Sequence, residues 1–267
     1  MEEREQFKKD DLYNMLREVS MNLRKPVSAV LIGGMAIMYH GAKQSTKDID
    51  LVFQRKDDII HFIDTIKKMG FRRKEGLSDD YLDLKAHGIY FSEEGHMLDL
   101  FCVFVLDGFQ VTDDMVARSK QVHIDGGLTL SALSPMDIFL FKSITMRDSD
   151  LLDMAYLAPM VKDWGPFRKE IDLLRHDHLL LSRCWNRIQD LEEEYQIKVP
   201  ELSWMWEVGE MATAKNLILA SIQNEPKEKK SLFEGLDKQK VDLIENAISE
   251  LESEGVIFHH GDKIVLK

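Results

Sequence analysis

The residues whose types and spacing could support chemistry lie mostly in the N-terminal half. Asp48 and Asp50 are two positions apart in the segment 46–52, which has the composition of a β-strand. Side chains two apart on a strand share a face, so the two carboxylates are expected to project together. Two carboxylates on one face repel each other unless a cation lies between them, and clustered carboxylates suit Mg²⁺. We therefore expect Asp48 and Asp50 to be metal ligands.

A pair of glycines precedes these carboxylates. Gly33 and Gly34 follow a short apolar run, and thirteen residues separate the pair from Asp48. Glycine allows the backbone to approach a phosphate closely, and the helix predicted after the pair offers free N–H groups and a positive dipole end. Gly33 and Gly34 are therefore candidates for binding a nucleotide phosphate.

A third carboxylate, Asp99, lies in the strand predicted over residues 97–105. The rest of this segment is apolar on both faces, as expected of a central strand, and a lone carboxylate there is costly unless it is paired or liganded. Together with Asp48 and Asp50, Asp99 is expected to hold a second Mg²⁺ and to accept the proton of an attacking hydroxyl. Two ions would then stabilise an in-line displacement. An ion pair with an arginine or lysine is the alternative for Asp99.

The elements that position these residues follow from hydrophobic periodicity. Helices are predicted over 5–24 and 57–69, and strands over 30–32, 46–52, 71–74, 87–91, 97–105, 121–124 and 128–130. The segment 77–85 is polar and ambiguous. Ser134 and Pro135 have the residue types of an N-cap and a first helical turn, and the helical pattern then continues to about Tyr195, with a break at Gly165 and Pro166.

The C-terminal part has a different pattern. Helices are predicted over 211–223, 227–235 and 238–253, followed by strands over 256–258 and 263–266. Three helices and a tight hairpin are typical of a winged helix-turn-helix. The helix predicted over 238–253 occupies the position of the recognition helix. It is acidic, which favours a protein contact or dimerisation over DNA binding. DNA binding would require four lysines to gather at one end: Lys227, Lys229, Lys230 and Lys238.

Composition limits the classes of function. The 267 residues are 44% hydrophobic, enough for a sizeable core, and no apolar run has the length of a membrane span. The net charge of −12 argues against a broad electrostatic contact with nucleic acid, but it is compatible with a local basic patch or a metal-bound nucleotide. The charged N-terminus and the two distant cysteines, Cys102 and Cys184, favour a cytoplasmic protein.

At these residues the sequence resembles the polymerase-β-like nucleotidyltransferase superfamily. The resemblance rests on Ile32-Gly33-Gly34, on Asp48-Ile49-Asp50-Leu51 and on Asp99, and it covers roughly residues 25–155. It is greatest to the minimal and abortive-infection (AbiEii-like) nucleotidyltransferases, several of which are toxins of toxin–antitoxin pairs. The resemblance implies that Gly33, Gly34, Asp48, Asp50 and Asp99 are active-site residues. It also implies a phosphate contact for Lys142 and, with less support, for Arg147. One departure is Gln44, which stands where that family often has an arginine.

The sequence thus predicts an α+β protein in three parts. A nucleotidyltransferase domain with a mixed sheet flanked by helices is expected over 1–133, a helical region over 134–204 and a winged-helix domain over 205–267. The expected activity is Mg²⁺-dependent transfer of a nucleotide from an NTP to a hydroxyl of an RNA, protein or small-molecule acceptor. The alternative is a non-catalytic module that binds DNA or protein through the winged helix. A homodimer stays open, and no membrane partner is expected.

Overall fold

A computed structural model of the chain describes residues 6–75, 86–105, 109–145, 147–174, 176–200 and 203–267. It divides the chain into two units, Met1–Asp163 and Trp164–Lys267. The segment 77–85, ambiguous in sequence, lies outside the described residues. None of the helices described combines the length and the apolar character needed to cross a membrane.

The first unit is built on a seven-stranded mixed sheet, which confirms the predicted sheet type. The sheet order is β5-β6-β7-β4-β2-β9-β8, and the β4–β7 and β2–β9 pairs are parallel while the other pairs are antiparallel. A separate two-stranded ribbon joins β1 and β3. The strands are β1 (Phe7–Lys8), β2 (Val27–Ile32), β3 (Ser45–Thr46), β4 (Ile49–Phe53), β5 (Arg72–Arg73), β6 (Gly88–Phe91), β7 (Met97–Cys102), β8 (Lys120–Val122) and β9 (Leu128–Ala132).

Helices cover both faces of this sheet. They are α1 (Lys9–Asn22), α2 (Gly33–Tyr39), α3 (Lys56–Lys68), α4 (Asp113–Ala117), α5 (Pro135–Thr145) and α6 (Asp148–Leu157). Phe62 of α3 packs on Phe53 of β4, with ring centroids 5.1 Å apart. Because residues three apart on a strand face opposite sides, Asp50 projects to the other face, where it lines a cavity together with Phe141 of α5.

The predicted elements and the observed ones differ mainly at their ends. The strand expected to reach residue 105 ends at Cys102 because Val103 has a φ of 65° and turns the chain. Phe104 then donates a backbone hydrogen bond to the Cys102 carbonyl at 2.7 Å. The predicted N-cap is present at Ser134, whose Oγ accepts from the Asp137 N–H at 3.2 Å.

In its described residues, 164–174, 176–200 and 203–267, the second unit contains four α-helices and a small antiparallel sheet of order β10-β12-β11. Its apolar core joins the last two helices and the hairpin: Ala214, Ile218, Ile222, Ala247, Ile248, Leu251, Ile257 and Ile264. The segment predicted as a helix over 227–235 is instead a short strand and a 3₁₀ turn, Lys229–Phe233. The elements are α7 (Gly165–Leu173), α8 (His178–Tyr195), α9 (Ser203–Ile222), β10 (Lys227–Glu228), α10 (Lys238–Ser253), β11 (Ile257–His260) and β12 (Lys263–Leu266).

The division into units differs from the predicted domain boundaries. The helical region expected over 134–204 is split, because α5 and α6 belong to the first unit while α7 and α8 belong to the second. The physical reason is the composition of α5, whose residues Ile138, Phe139, Leu140 and Phe141 are all buried. A helix that is apolar on every side must be enclosed, and α5 is enclosed by the first unit.

Candidate active site

The backbone of the glycine pair lies against two side chains, Asp50 of β4 and Thr46 of β3. Gly33 has a φ of +59°, and a Cβ added there would overlap Asp50 Oδ2 and lie 2.8 Å from Asp50 Cγ. A Cβ on Gly34 would overlap Thr46 Oγ1 and lie 3.0 Å from Thr46 Cβ. The first turn of α2 therefore requires glycine at both positions, since any larger residue would displace Asp50 or Thr46.

The sheet register places two of the predicted acids side by side. Asp50 of β4 is the register partner of Asp99 of β7 in a parallel pair, so both carboxylates lie on the same face. Ile32 on β2 and Ile89 on β6 flank them in the same row across the sheet. Asp99 is 2% exposed. The two acids are thus held between apolar neighbours at the centre of the sheet.

Asp48 lies just before β4 rather than within it. Thr46 Oγ1 donates a hydrogen bond to Asp48 Oδ1 at 3.4 Å. The residue is half-buried, and its charge acts on Asp50 two positions further along the chain.

The surroundings of Asp50 disfavour its ionised form. Burial, followed by repulsion from Asp48, raises the pKa of the Asp50 carboxyl from 3.8 to about 7. Arg147 and Lys142 oppose this rise through their positive charges. Asp50 therefore carries a carboxylate that a cation would stabilise strongly.

A small cavity joins the glycine turn to α5 and to the residues that follow it. It has a volume of about 40 Å³ and brings together Gly33, Asp50, Lys142, Thr145 and Arg147. Apolar side chains complete the lining: Ile32, Phe101, Val105, Ile138 and Phe141. The structure thus places both predicted phosphate contacts, Lys142 and Arg147, beside Gly33 and Asp50. The space holds a few water molecules and is too small to enclose a nucleotide.

Lys142 makes contacts that its sequence position did not predict. Its Nζ lies 2.6 Å from Asp150 Oδ1 and 3.0 Å from Asp153 Oδ2. Burial lowers the pKa of Lys142, but the charges of the two carboxylates outweigh burial and shift it upward overall. The Lys142 ammonium is therefore charged and already engaged by carboxylates, rather than open to a phosphate.

Lys43 also belongs to this group of charges, and sequence reasoning missed it. Its Nζ donates to Asp153 Oδ1 at 3.0 Å. No spacing rule connects Lys43 with Asp153, because they are far apart in sequence and meet only when α6 packs beside the segment that leads to β3.

The donor chemistry of the three acids fits Mg²⁺. Asp48, Asp50 and Asp99 offer only carboxylate oxygens, and the repulsion between Asp48 and Asp50 is of the kind that a divalent ion relieves. In the part of the chain that the structure describes, however, no three His, Cys, Asp or Glu side chains are gathered into a ready metal site. The sheet register thus holds Asp50 and Asp99 on adjacent strands, whereas the three carboxylates do not converge on a common point.

Comparisons with known proteins agree with this arrangement. A family model described as "Nucleotidyltransferase of unknown function (DUF6036)" matches residues 10–159, more than half of the chain. This range includes the glycine turn, the three acids, Lys43 and Lys142. No curated protein matches the sequence.

Among solved structures, the crystal structure of a "putative nucleotidyltransferase" from H. pylori is similar over 94% of this chain and 98% of its own. The two chains share 14% sequence identity, and the TM-score is 0.37. By the family model that matches residues 10–159, the chain belongs to this family of nucleotidyltransferases of unknown function.

Proposed function

We propose that the protein is a Mg²⁺-dependent nucleotidyltransferase that moves a nucleotide from an NTP to a hydroxyl of an acceptor. The observation that supports this most is the pairing of Asp50 with Asp99 across β4 and β7, with Asp48 beside them and Gly33 packed against Asp50. A glycine turn next to three carboxylates combines a place for phosphate with a place for a cation.

The proposal gives each residue a role. Asp48, Asp50 and Asp99 would hold the magnesium, which when bound would neutralise charge on the transferred phosphoryl group. Asp99 would accept the proton of the acceptor hydroxyl, because it is the register partner of Asp50 on the adjacent strand β7. Gly33 and Gly34 let the α2 backbone approach the phosphates, and Arg147 adds a positive charge to the same cavity.

Labelled nucleotide transfer tests the proposal directly. The protein is incubated with Mg²⁺ and each labelled NTP in the presence of RNA, protein extract or small hydroxyl compounds. Transfer should fall about 100-fold or more in Asp48→Ala and Asp50→Asn, because each loses a metal ligand. Asp125→Asn, which removes an exposed carboxylate on the β8–β9 turn, is the control and should transfer normally. Equal labelling by wild type and Asp48→Ala would refute the assignment.

A second candidate function is a non-catalytic role. It is favoured by the cavity of about 40 Å³, which is too small to enclose a nucleotide, and by the ion pairs of Lys142 with Asp150 and Asp153. In this case the protein would act through the second unit, where α10 and the β11–β12 hairpin have the order expected of a winged helix. Calorimetry with Mg²⁺ and each NTP separates the two functions, because only the enzyme should bind a nucleotide.

The charges of the second unit favour a protein partner over DNA. Lys227 pairs with Glu225, and Lys230 Nζ lies 2.9 Å from Glu228 Oε2. Two of the lysines that DNA binding would require are therefore neutralised locally. A gel shift with duplex DNA at moderate salt should show no complex, and a clear shift would overturn this preference.

A role as the toxin of a toxin–antitoxin pair is supported only by the AbiEii-like resemblance of the glycine and aspartate motifs. Induced expression in a bacterial host tests it. Growth should stop with the wild-type chain and continue with Asp50→Asn at equal protein level. Normal growth with both chains would remove the toxin role and leave the enzymatic proposal untouched.

A further inference from the structure

Four charged side chains form a continuous chain of ion pairs beside the glycine turn. Lys43 contacts Asp153 at 3.0 Å, Asp153 contacts Lys142 at 3.0 Å, and Lys142 contacts Asp150 at 2.6 Å. Asp153 thus lies between two lysines: Lys43 Nζ donates to both of its carboxylate oxygens, and Lys142 Nζ contacts Oδ2. The contacts bring together three parts of the first unit: the segment before β3, helix α5 and helix α6.

The chain of charges is buried and electrically balanced. Asp150 and Asp153 are 1% and 4% exposed, and Lys142 is mostly buried. Two lysines and two aspartates sum to zero charge, so the group offers no net attraction to an anion. An ammonium buried in this way needs an anionic partner, and Asp153 is the partner that both lysines share.

The position of this group connects it with the proposed reaction. Lys142 lines the same cavity as Gly33 and Asp50, and its charge acts on the Asp50 carboxyl. A polyphosphate that reached the glycine turn would therefore lie beside Lys142. Lysine binds phosphate as a compact point charge, so one phosphate group can replace one carboxylate without a fixed fork geometry.

We propose that Asp153 holds the place of a nucleotide phosphate, and that Lys43 and Lys142 together bind the polyphosphate when it displaces Asp153. This inference rests on the proposed nucleotidyltransferase function and adds Lys43 and Asp153 to its site. Lys43, about one-third exposed, is the lysine that solvent reaches more easily.

A purely structural role for Asp153 predicts the opposite response to mutation. If Asp153 only orients the lysines, its removal should misplace them and weaken anion binding. If Asp153 competes with the anion, its removal should strengthen binding, because the group then carries one net positive charge. The sign of the change in affinity therefore distinguishes competition from positioning.

Calorimetric titration with inorganic tripolyphosphate in magnesium-free buffer makes this measurement on the full chain. We expect Asp153→Asn to bind tripolyphosphate about tenfold more tightly than wild type, and Lys43→Met and Lys142→Met about tenfold more weakly. Lys67→Met is the control, because Lys67 is exposed on α3, which covers the other face of the sheet, and it should bind as wild type does.

Equal or weaker binding by Asp153→Asn overturns the inference, and so does unchanged binding by Lys43→Met. Lys43→Met keeps the test usable if the buried variants do not fold, because a partly exposed lysine is not needed to fill the core. The absence of tripolyphosphate binding in every variant also overturns it.

The outcome is separable from that of the proposed function. In magnesium-free buffer Asp48, Asp50 and Asp99 hold no metal, so the titration does not require the proposed reaction. If the expected affinities are measured but no nucleotide transfer is found, the phosphate site is supported and the enzymatic proposal is refuted. If transfer disappears in Asp48→Ala and Asp153→Asn binds tripolyphosphate with unchanged affinity, the enzymatic proposal is supported and the phosphate site at Asp153 is refuted.

Discussion

Asp50 and Asp99 are register partners on the adjacent parallel strands β4 and β7, so their Cα atoms lie about 4.8 Å apart and their carboxylates share one face of the sheet. Ile32 and Ile89 flank the pair in the same row. Two acids in such a place raise the free energy of the folded state unless a cation or a proton neutralises them. The stability of the protein should therefore respond to both Mg²⁺ and pH.

Magnesium should stabilise the protein through these two acids. At a Mg²⁺ concentration about 100 times the dissociation constant, the free energy of unfolding should rise by about 2.7 kcal/mol. The rise should be lost in Asp50→Asn and Asp99→Asn and kept in Asp125→Asn, whose exposed carboxylate lies on a turn. Thermal unfolding with and without Mg²⁺ checks this, and an equal rise in all four proteins would place the ion elsewhere.

Asp50 should make the metal-free protein less stable as the pH rises. The folded pKa of about 7 lies above the ordinary value of 3.8, so the folded state holds the proton more tightly than the unfolded chain does. The resulting stability is fully present below pH 3.8 and is lost as the pH rises towards 7. Asp50→Asn cannot ionise and does not lose this stability. The difference in free energy of unfolding between Asp50→Asn and wild type should therefore grow in favour of the variant across this range, by the order of 2–4 kcal/mol.

Urea denaturation in EDTA at several pH values between 4 and 8 measures the Asp50 contribution. A difference in free energy of unfolding between Asp50→Asn and wild type that does not change with pH would show that Asp50 ionises normally. Added Mg²⁺ should reduce the difference at pH 8, because the ion stabilises only the wild-type carboxylate.

Gly33→Ala should cost far more than the equivalent change at Gly41. Both glycines have positive φ, +59° and +84°, so alanine is strained at either position by about 1 kcal/mol. At Gly33 the new Cβ would also overlap Asp50 Oδ2, whereas at Gly41 nothing lies within 4 Å. Gly33→Ala should therefore lose about 1–3 kcal/mol more stability than Gly41→Ala, as well as the Mg²⁺ response.

Denaturation curves of the two variants with and without Mg²⁺ give both quantities. Because the backbone strain is common to both positions, their difference isolates the contact with Asp50. Equal stabilities and equal Mg²⁺ responses would mean that Asp50 moves aside at no cost.

Arg118→Ala should destabilise the first unit by about 3–5 kcal/mol. Arg118 contacts Asp137 through two nitrogens, Nε at 3.0 Å from Oδ2 and Nη2 at 2.6 Å from Oδ1, and Asp137 is fully buried. Burial raises the pKa of Asp137, and hydrogen bonds from Arg118 and Ser134 oppose this rise. Removal of Arg118 would leave a buried carboxylate without its main counter-charge.

A double-mutant cycle with Asp137→Leu checks the explanation. The double variant should recover part of the stability lost in Arg118→Ala, because the buried charge is then absent. Strictly additive losses would show that the two side chains act independently.

The sequence determined the local elements of this protein well. Hydrophobic periodicity located α1, α3 and α10, and alternating or continuous apolar runs located β4, β6 and β7, because these signals depend on neighbouring residues only. Short elements were less predictable. Residues 227–235 resemble a helix in composition, but pairing of β10 with β12 makes the first two of them a strand.

The motif also predicted that Gly33, Asp50 and Asp99 belong to one site, and the register of β4 and β7 places the two acids next to each other. That the three acids act as metal ligands stays a prediction. The partners of Lys142 could not be predicted, because Asp150 and Asp153 meet it only through the packing of α6 beside α5.

The sequence by itself predicted which residues would carry the proposed chemistry, since residue type and spacing along the chain are local properties. Only the tertiary structure decided that Lys142 is held by two carboxylates, that Lys43 joins it through Asp153, and that the cavity beside Asp50 is small. Lys142 meets its two carboxylates only because α6 folds back beside α5, and Lys43 meets Asp153 across 110 residues of chain. Loop closure over such a distance is governed by the packing of the whole unit rather than by any local pattern.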